Sequence, residues 1–199
     1  DIGGKFSIGV NLSNLGPKIY YIDRAQADPI PTNFRLGFAY KILDDEYNSL
    51  IYTLDLSKLL VSKTPADTLV SGADTTIVKS TSKEFYESLF YAWGDKPFGE
   101  ELRDIVTSMG LEYWYGSPGE FLFALRTGFF YEDPSYGNRK FVTFGAGIRY
   151  DIYGFDFSYI TTSVFSGGEN HPLSDTLRFT VLIGWGAIPE STRGLPRGI

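Results

Sequence analysis

Along residues 5–15 apolar and polar positions alternate, with Phe6, Ile8, Val10 and Leu12 on one side and Ser7, Gly9, Asn11 and Ser13 on the other. Successive side chains of an extended chain point to opposite faces, so a period of two predicts a strand. The same period sets Phe34, Leu36, Phe38, Tyr40 and Ile42 against Asn33, Arg35, Gly37, Ala39 and Lys41, and it runs through Leu50, Tyr52, Leu54 and Leu56. It returns in Met109, Leu111, Tyr113 and Tyr115, then in Phe121, Phe123, Leu125, Thr127, Phe129 and Tyr131. Val142, Phe144, Ala146, Ile148 and Tyr150 follow, then Phe155, Phe157 and Tyr159, and last Leu177, Phe179, Val181, Ile183 and Trp185. Eight strands are predicted. A helical period occurs only between 81 and 107. There Thr81 and Glu84 form an expected capping box before Phe85, Leu89 and Trp93, Gly94 and Pro97 interrupt, and Leu102, Ile105 and Val106 predict a second short helix.

The connections alternate in length: 16–32 long, 44–47 short, 61–107 very long, 116–119 short, 132–139 intermediate, 151–153 short and 163–174 long. All short turns then fall at one end of the strands. Outer-membrane barrels have short periplasmic turns and long external loops, whereas a soluble up-and-down barrel has no reason to enforce that asymmetry.

Composition narrows the chemistry. The 199 residues include no Cys and a single His, which excludes disulfides, thiol catalysis, Cys-built metal centres and paired imidazoles. Net charge is -6 and the pI is about 4.8, so the basic footprint that nucleic acid requires is missing. No cofactor is expected. Hydrophobic content is 43% with a mean hydropathy of -0.11, and no window approaches the roughly eighteen apolar residues of a spanning helix. A membrane barrel passes that test, because its two faces average out. The chain opens at Asp1 without Met, basic segment or apolar segment, so either a removed signal or a piece of something longer is expected.

The polar face decides which side is enclosed. It carries Gly, Ser, Ala, Asn and Thr, with isolated Arg35, Lys41, Glu112, Arg126, Arg149, Asp156 and Arg178. Small residues with sparse opposite charges suit a lumen, and these seven are expected to form its polar network. Tyr40, Tyr47, Tyr115, Phe121, Tyr150, Tyr153 and Trp185 all fall near the short-turn ends, as an interfacial aromatic girdle would.

Other motifs are weaker. Ser166 or Ser174 with His171 and Asp175 is the only conceivable nucleophile set, but it lies within one loop and reads as a solvated segment. Asp44, Asp45 and Glu46 match no EF-hand spacing and read as a solvated turn. Gly145-Ala146-Gly147 sits inside a strand and reads as close packing rather than a dinucleotide turn. The apolar helical positions between 85 and 106 either cap the barrel or meet a partner.

Several separated strings carry a resemblance. They are Asn11 to Lys18, Tyr21-Ile22-Asp23, Gln26 to Pro31, Gly137-Asn138-Arg139, Gly147 to Tyr150 and His171 to Arg178. Together they resemble the PorV/PorQ family of Bacteroidetes-type outer membranes across nearly all of residues 5–186. The resemblance implies a fourteen-stranded barrel similar to the FadL fatty-acid transporter, of which this chain would be a C-terminal portion. It also implies a part in type IX secretion: taking cargo C-terminal signal domains from the translocon barrel and passing them to an attachment complex.

The expectation is therefore an all-β antiparallel transmembrane barrel over 1–186, with a helical insertion at about 61–107 and a tail at 187–199, in the outer membrane. It is non-enzymatic, with cargo domains, translocon and attachment proteins and membrane lipid as partners. Contacts are expected from the long loops at Tyr20, Tyr21, Asp23, Arg24, Phe85, Leu89, Trp93 and Phe165. A FadL-like transporter of hydrophobic solutes is the alternative, and a hydrolase using Ser174 and His171 a more distant third.

Overall fold

A computed structural model describes residues 4–20, 27–61, 63–64, 67–71, 74–78, 81–117, 120–161 and 175–184. The chain is all-β, with an eight-stranded antiparallel sheet and two short helices. The sheet strands are β1 (Phe6–Ser13), β2 (Asn33–Asp44), β3 (Asn48–Leu59), β8 (Ile105–Tyr115), β9 (Leu122–Tyr131), β10 (Lys140–Tyr150), β11 (Tyr153–Thr161) and β12 (Thr176–Ile183). Between β3 and β8 come β4 (Lys63–Thr64), β5 (Asp67–Ser71), β6 (Asp74–Val78), β7 (Thr81–Ser82), α1 (Phe85–Tyr91) and α2 (Phe98–Arg103). Sheet order follows chain order, β1-β2-β3-β8-β9-β10-β11-β12, so every sheet strand lies beside its predecessor in the sheet. Each predicted strand is present within a few residues of its expected limits.

The long insertion departs from expectation in three ways. It contains two small ladders, β4 with β7 and β5 with β6, in a segment where no strand was predicted. Ile105 and Val106 open β8 instead of extending the second helix. The α1 cap is Glu84, whose N–H donates to the Glu87 carboxylate at 3.3 Å, while Thr81 belongs to β7. The sequence 84–87 repeats the spacing of a capping box three residues later, with Glu84 in the place a Ser or Thr usually takes.

By contact the described residues fall into two compact units: one from Asp1–Gly9, Gly37–Asp55 and Thr107–Ile199, the other from Val10–Leu36 and Leu56–Val106. In the first unit, register alignment places Leu125 opposite Ala146 and Ile148 opposite Phe123 and Phe155. The face these residues share is open, with Leu125 63% and Phe179 63% exposed and Met109, Leu111, Phe144, Phe155 and Val181 beside them. On the other face Trp114, Leu122 and Ala124 are buried together. This polarity, apolar side outward and packed polar side inward, is that of a membrane-barrel wall and the reverse of a soluble sheet. Among the described residues no helix is long and apolar enough to cross a membrane.

The short turns are stitched by local hydrogen bonds. Asp45 Oδ1 accepts from the Tyr47 and Asn48 N–H groups and from Asn48 Nδ2, at 3.0, 2.7 and 2.9 Å. The acidic run at 44–46 thus spends its central carboxylate on its own turn, an Asx arrangement. Asp151, at φ 49°, supplies the left-handed residue of the β10–β11 turn.

Candidate partner surface, lumen network and interfacial cup

The polar face of the first unit gathers four of the seven predicted lumen residues. Arg126 on β9 donates from Nε to Glu112 Oε2 on β8 at 2.5 Å and from Nη1 to Asp156 Oδ1 on β11 at 2.9 Å. Arg149 on β10 donates from Nη2 to the other Asp156 oxygen at 2.6 Å, and from Nη1 to the Ile148 and Phe155 carbonyls. Two guanidinium groups meet two carboxylates, so the network is neutral. Both guanidinium carbons also lie over the Trp114 ring, at 5.1 and 5.6 Å.

Glycines make the space. A Cβ on Gly147 would strike Asp156 Oδ1, and one on Gly154 would come within 2.8 Å of Arg149 Cδ. Gly145-Ala146-Gly147 is thus a site of close approach in the wall. The other three predicted members stand apart. Lys41 pairs with Asp44 at 3.3 Å near a short turn, Arg178 is exposed on β12 opposite Ser158, and Arg35 is exposed without an ion pair among the described residues. Same-face parity was legible in the sequence; adjacency along the strand axis was not.

In the second unit the helical insertion lies on β2 and β3. Lys58 is 3% exposed and donates to Glu101 Oε2 at 2.5 Å and to Asp104 Oδ2 at 2.9 Å, and Lys96 reaches the same Asp104 oxygen at 2.9 Å. Trp93 meets Phe34 edge-on at 5.3 Å. Phe34 and Lys58 continue the parity of the apolar series in their strands, so the helices rest on that side. A cavity of about 360 Å³ lies between Lys58, Lys96 and Glu101 on one side and Trp93, Phe98, Leu102 and Ile105 on the other.

This arrangement sorts the predicted contact residues. Phe85 and Leu89 are half-buried beside the buried Ser88 and Ala92, and Trp93 is engaged with Phe34. The open face of the insertion instead carries Phe90 and Phe98, 80% and 78% exposed, with Tyr86, Tyr91 and Leu102. The helical period found Phe85 and Leu89, which are half-buried, and Trp93, which meets Phe34 but stays exposed, while Tyr86, Phe90, Tyr91 and Phe98, passed over in the sequence, are exposed as well. Tyr20 is exposed in a loop closed by the Ile19–Asp28 bridge. That loop is tied to the strands by Asn14, at φ 57°, which donates to the Pro31 carbonyl while its own carbonyl accepts from Thr32 Oγ1. Tyr21, Asp23, Arg24 and Phe165 lie outside the described residues, as do Ser166, His171, Ser174, Trp185 and the 187–199 tail.

At the short-turn end of the first unit, Tyr40, Tyr47, Tyr115, Phe121, Tyr150 and Tyr153 are all exposed. Phe121 stacks on Tyr150 with ring centroids 4.4 Å apart. A cup of about 500 Å³ is lined there by Tyr47, Tyr115, Gly116, Ser117, Glu120, Phe121, Phe123 and Tyr150. The Glu46 carboxylate beside Tyr47 holds its phenol above the usual tyrosine range. The Asn48 amide, followed by the Tyr47 N–H, holds the Asp45 carboxyl below the carboxylate range. The loop at 132–139 is closed by Arg139, which grips Glu132 with Nε at 2.6 Å and Nη2 at 2.9 Å over Gly137, where a Cβ would strike that carboxylate. Among the described residues no cluster of His, Asp or Glu suits a metal ion.

Residues 1–67 match the model of a family described as "Type IX secretion system protein PorV". The match covers the first third of the chain, whereas the expected resemblance also drew on strings near residues 137–150 and 171–178. A search of curated proteins finds no match.

Proposed function

We propose that the chain is part of an outer-membrane barrel of type IX secretion that engages secreted cargo through its long external loops, a reading supported by the match of residues 1–67 to the PorV family model. The observation that carries this reading is the open aromatic face of α1 and α2. Phe90, Phe98, Tyr86 and Tyr91 are exposed aromatics of the kind enriched at protein contact sites, and the Lys58 pairs with Glu101 and Asp104 anchor α2 to β3. The cargo surfaces in view are the C-terminal signal domains of secreted proteins, received from the translocon barrel and passed to an attachment complex. Tyr20, with Tyr21, Asp23, Arg24 and Phe165 outside the described residues, belongs to the other long loops of the sequence, and these would extend the contact. The neutral, self-paired Arg126 network supports a structural lumen rather than a solute pathway, and nothing in this reading calls for catalysis.

The test is co-purification of the full-length protein from outer membranes, before and after Phe90→Glu with Phe98→Glu. Recovery of secreted proteins sharing a C-terminal domain, lost in the double variant, is the expected result. Unchanged recovery would remove α1–α2 from the contact.

One observation favours a second reading, a FadL-like transporter. The lining of the 360 Å³ cavity includes Trp93, Phe98, Leu102 and Ile105, an apolar set that suits an acyl chain. Bound fatty acid displaced by Trp93→Glu, with no protein partner recovered, would establish that reading instead.

A further inference from the structure

We propose that the cup at the short-turn end binds the ammonium head group of an aminophospholipid. Its construction starts from the 116–121 turn. Gly116, at φ 126°, takes a conformation that L side chains rarely adopt, and a Cβ there would strike the Phe121 carbonyl. Its N–H donates to the Tyr47 carbonyl at 2.9 Å, which draws the β8–β9 turn onto the β2–β3 turn. Tyr47, Tyr115, Phe121 and Tyr150 are thereby brought around one depression, with Phe121 and Tyr150 stacked as its wall.

The chemistry of the lining selects the occupant. Aromatic faces attract a cation through their quadrupole, and rings grouped around one space do so jointly. Glu120 adds a carboxylate, and no Lys or Arg is among the described residues that line the cup. An anion would meet the Glu120 carboxylate and no opposite charge in the described lining. An ammonium group finds both rings and a counter-ion.

Continuity with the apolar face decides between a lipid and a free amine. Phe123 lines the cup and also belongs to the open apolar series with Leu125 on β9. A ligand whose head enters the cup would lay its acyl chains along that series, and an aminophospholipid has both parts. The volume of about 500 Å³ lies within the range of small-molecule sites.

The experiment is native mass spectrometry of the full-length protein in detergent, titrated with phosphatidylethanolamine, phosphatidylglycerol and N-acetylated phosphatidylethanolamine of identical chains. Phosphatidylethanolamine should be retained about tenfold over the other two, because only it presents a cation. Tyr47→Leu with Tyr150→Leu should lower its retention by about tenfold, and Glu120→Gln severalfold. Equal retention of all three lipids by the unaltered protein would overturn the proposal, and needs no variant to fold. Equal competition by soluble phosphoethanolamine would overturn the lipid assignment in favour of a free amine. Unchanged phosphatidylethanolamine retention by folded variants would place the lipid elsewhere.

Discussion

In the first unit Arg126 and Arg149 meet Glu112 and Asp156; in the second, Lys58 and Lys96 meet Glu101 and Asp104. Each cluster balances two positive charges with two negative ones, yet they hold different things. The arginines link β8 to β9, β9 to β11 across β10, and β10 to β11, in a sheet whose adjacent strands are already joined by backbone ladders. Their planar forks reach across the sheet and tile its inner face, adding to an existing connection. Lys58 joins a strand to α2, where no ladder can form because helix backbone groups bond within the helix. It is also the more buried, with its side chain 3% exposed against 30% for Arg126. A cluster supported only by side-chain packing such as Trp93 on Phe34 carries more of its element's stability than one in parallel with a ladder.

Lys58→Met is therefore the largest expected effect. It leaves Glu101 and Asp104 in a buried site without their main partner, a change worth about 3–5 kcal/mol. Hydrogen exchange should show α1 and α2 opening while the β9–β11 amides stay protected. Protection lost uniformly would erase the distinction between the clusters. Gly147→Val comes next, because its side chain must displace Asp156; overpacking of this kind costs about 1–3 kcal/mol, read from urea unfolding in lipid vesicles. Gly9→Val, on a glycine with open space around it, is the control. Arg126→Met should cost only about 1 kcal/mol, since the site is partly exposed and the ladders persist. A loss as large as that of Lys58→Met would break the comparison from the other side.

The smallest effect is a pH dependence at the β2–β3 turn. The folded pKa of Asp45 is depressed, so the stability its turn gains is present above the ordinary carboxylate value and lost as pH falls through the lower folded one. Asp45→Ala should flatten the unfolding midpoint against pH below about 4, and leave it parallel to the unaltered protein at neutral pH.

Most of the fold was legible, and for one reason. Strand positions follow from a period-two pattern that each segment carries alone, so β1, β2 and β9 could be located from Phe6 to Leu12, Phe34 to Ile42 and Phe121 to Tyr131. The small ladders at 63–82 have too few residues to display a period, and Ile105 and Val106 fit a helical face or a strand equally well until Met109 and Leu111 extend the alternation. The outward faces of the two helices were less legible than the strands. Phe85 and Leu89 carry the helical period of α1 and are half-buried, and the same spacing turns Tyr86 and Phe90 outward.

By itself the sequence determined the all-β architecture, the end at which the short turns lie, and which side of each strand is apolar, since all three are local properties of spacing and side-chain direction. Tertiary structure alone decided that Arg126 reaches both Glu112 and Asp156 while Arg35 and Arg178 do not, that Lys58 finds Glu101 and Asp104 more than forty residues away, and that Tyr47 and Tyr150 share one cup. Parity names the face a residue points to, but the height at which two strands meet is set by register and turn geometry, and those are resolved only when the whole sheet has formed.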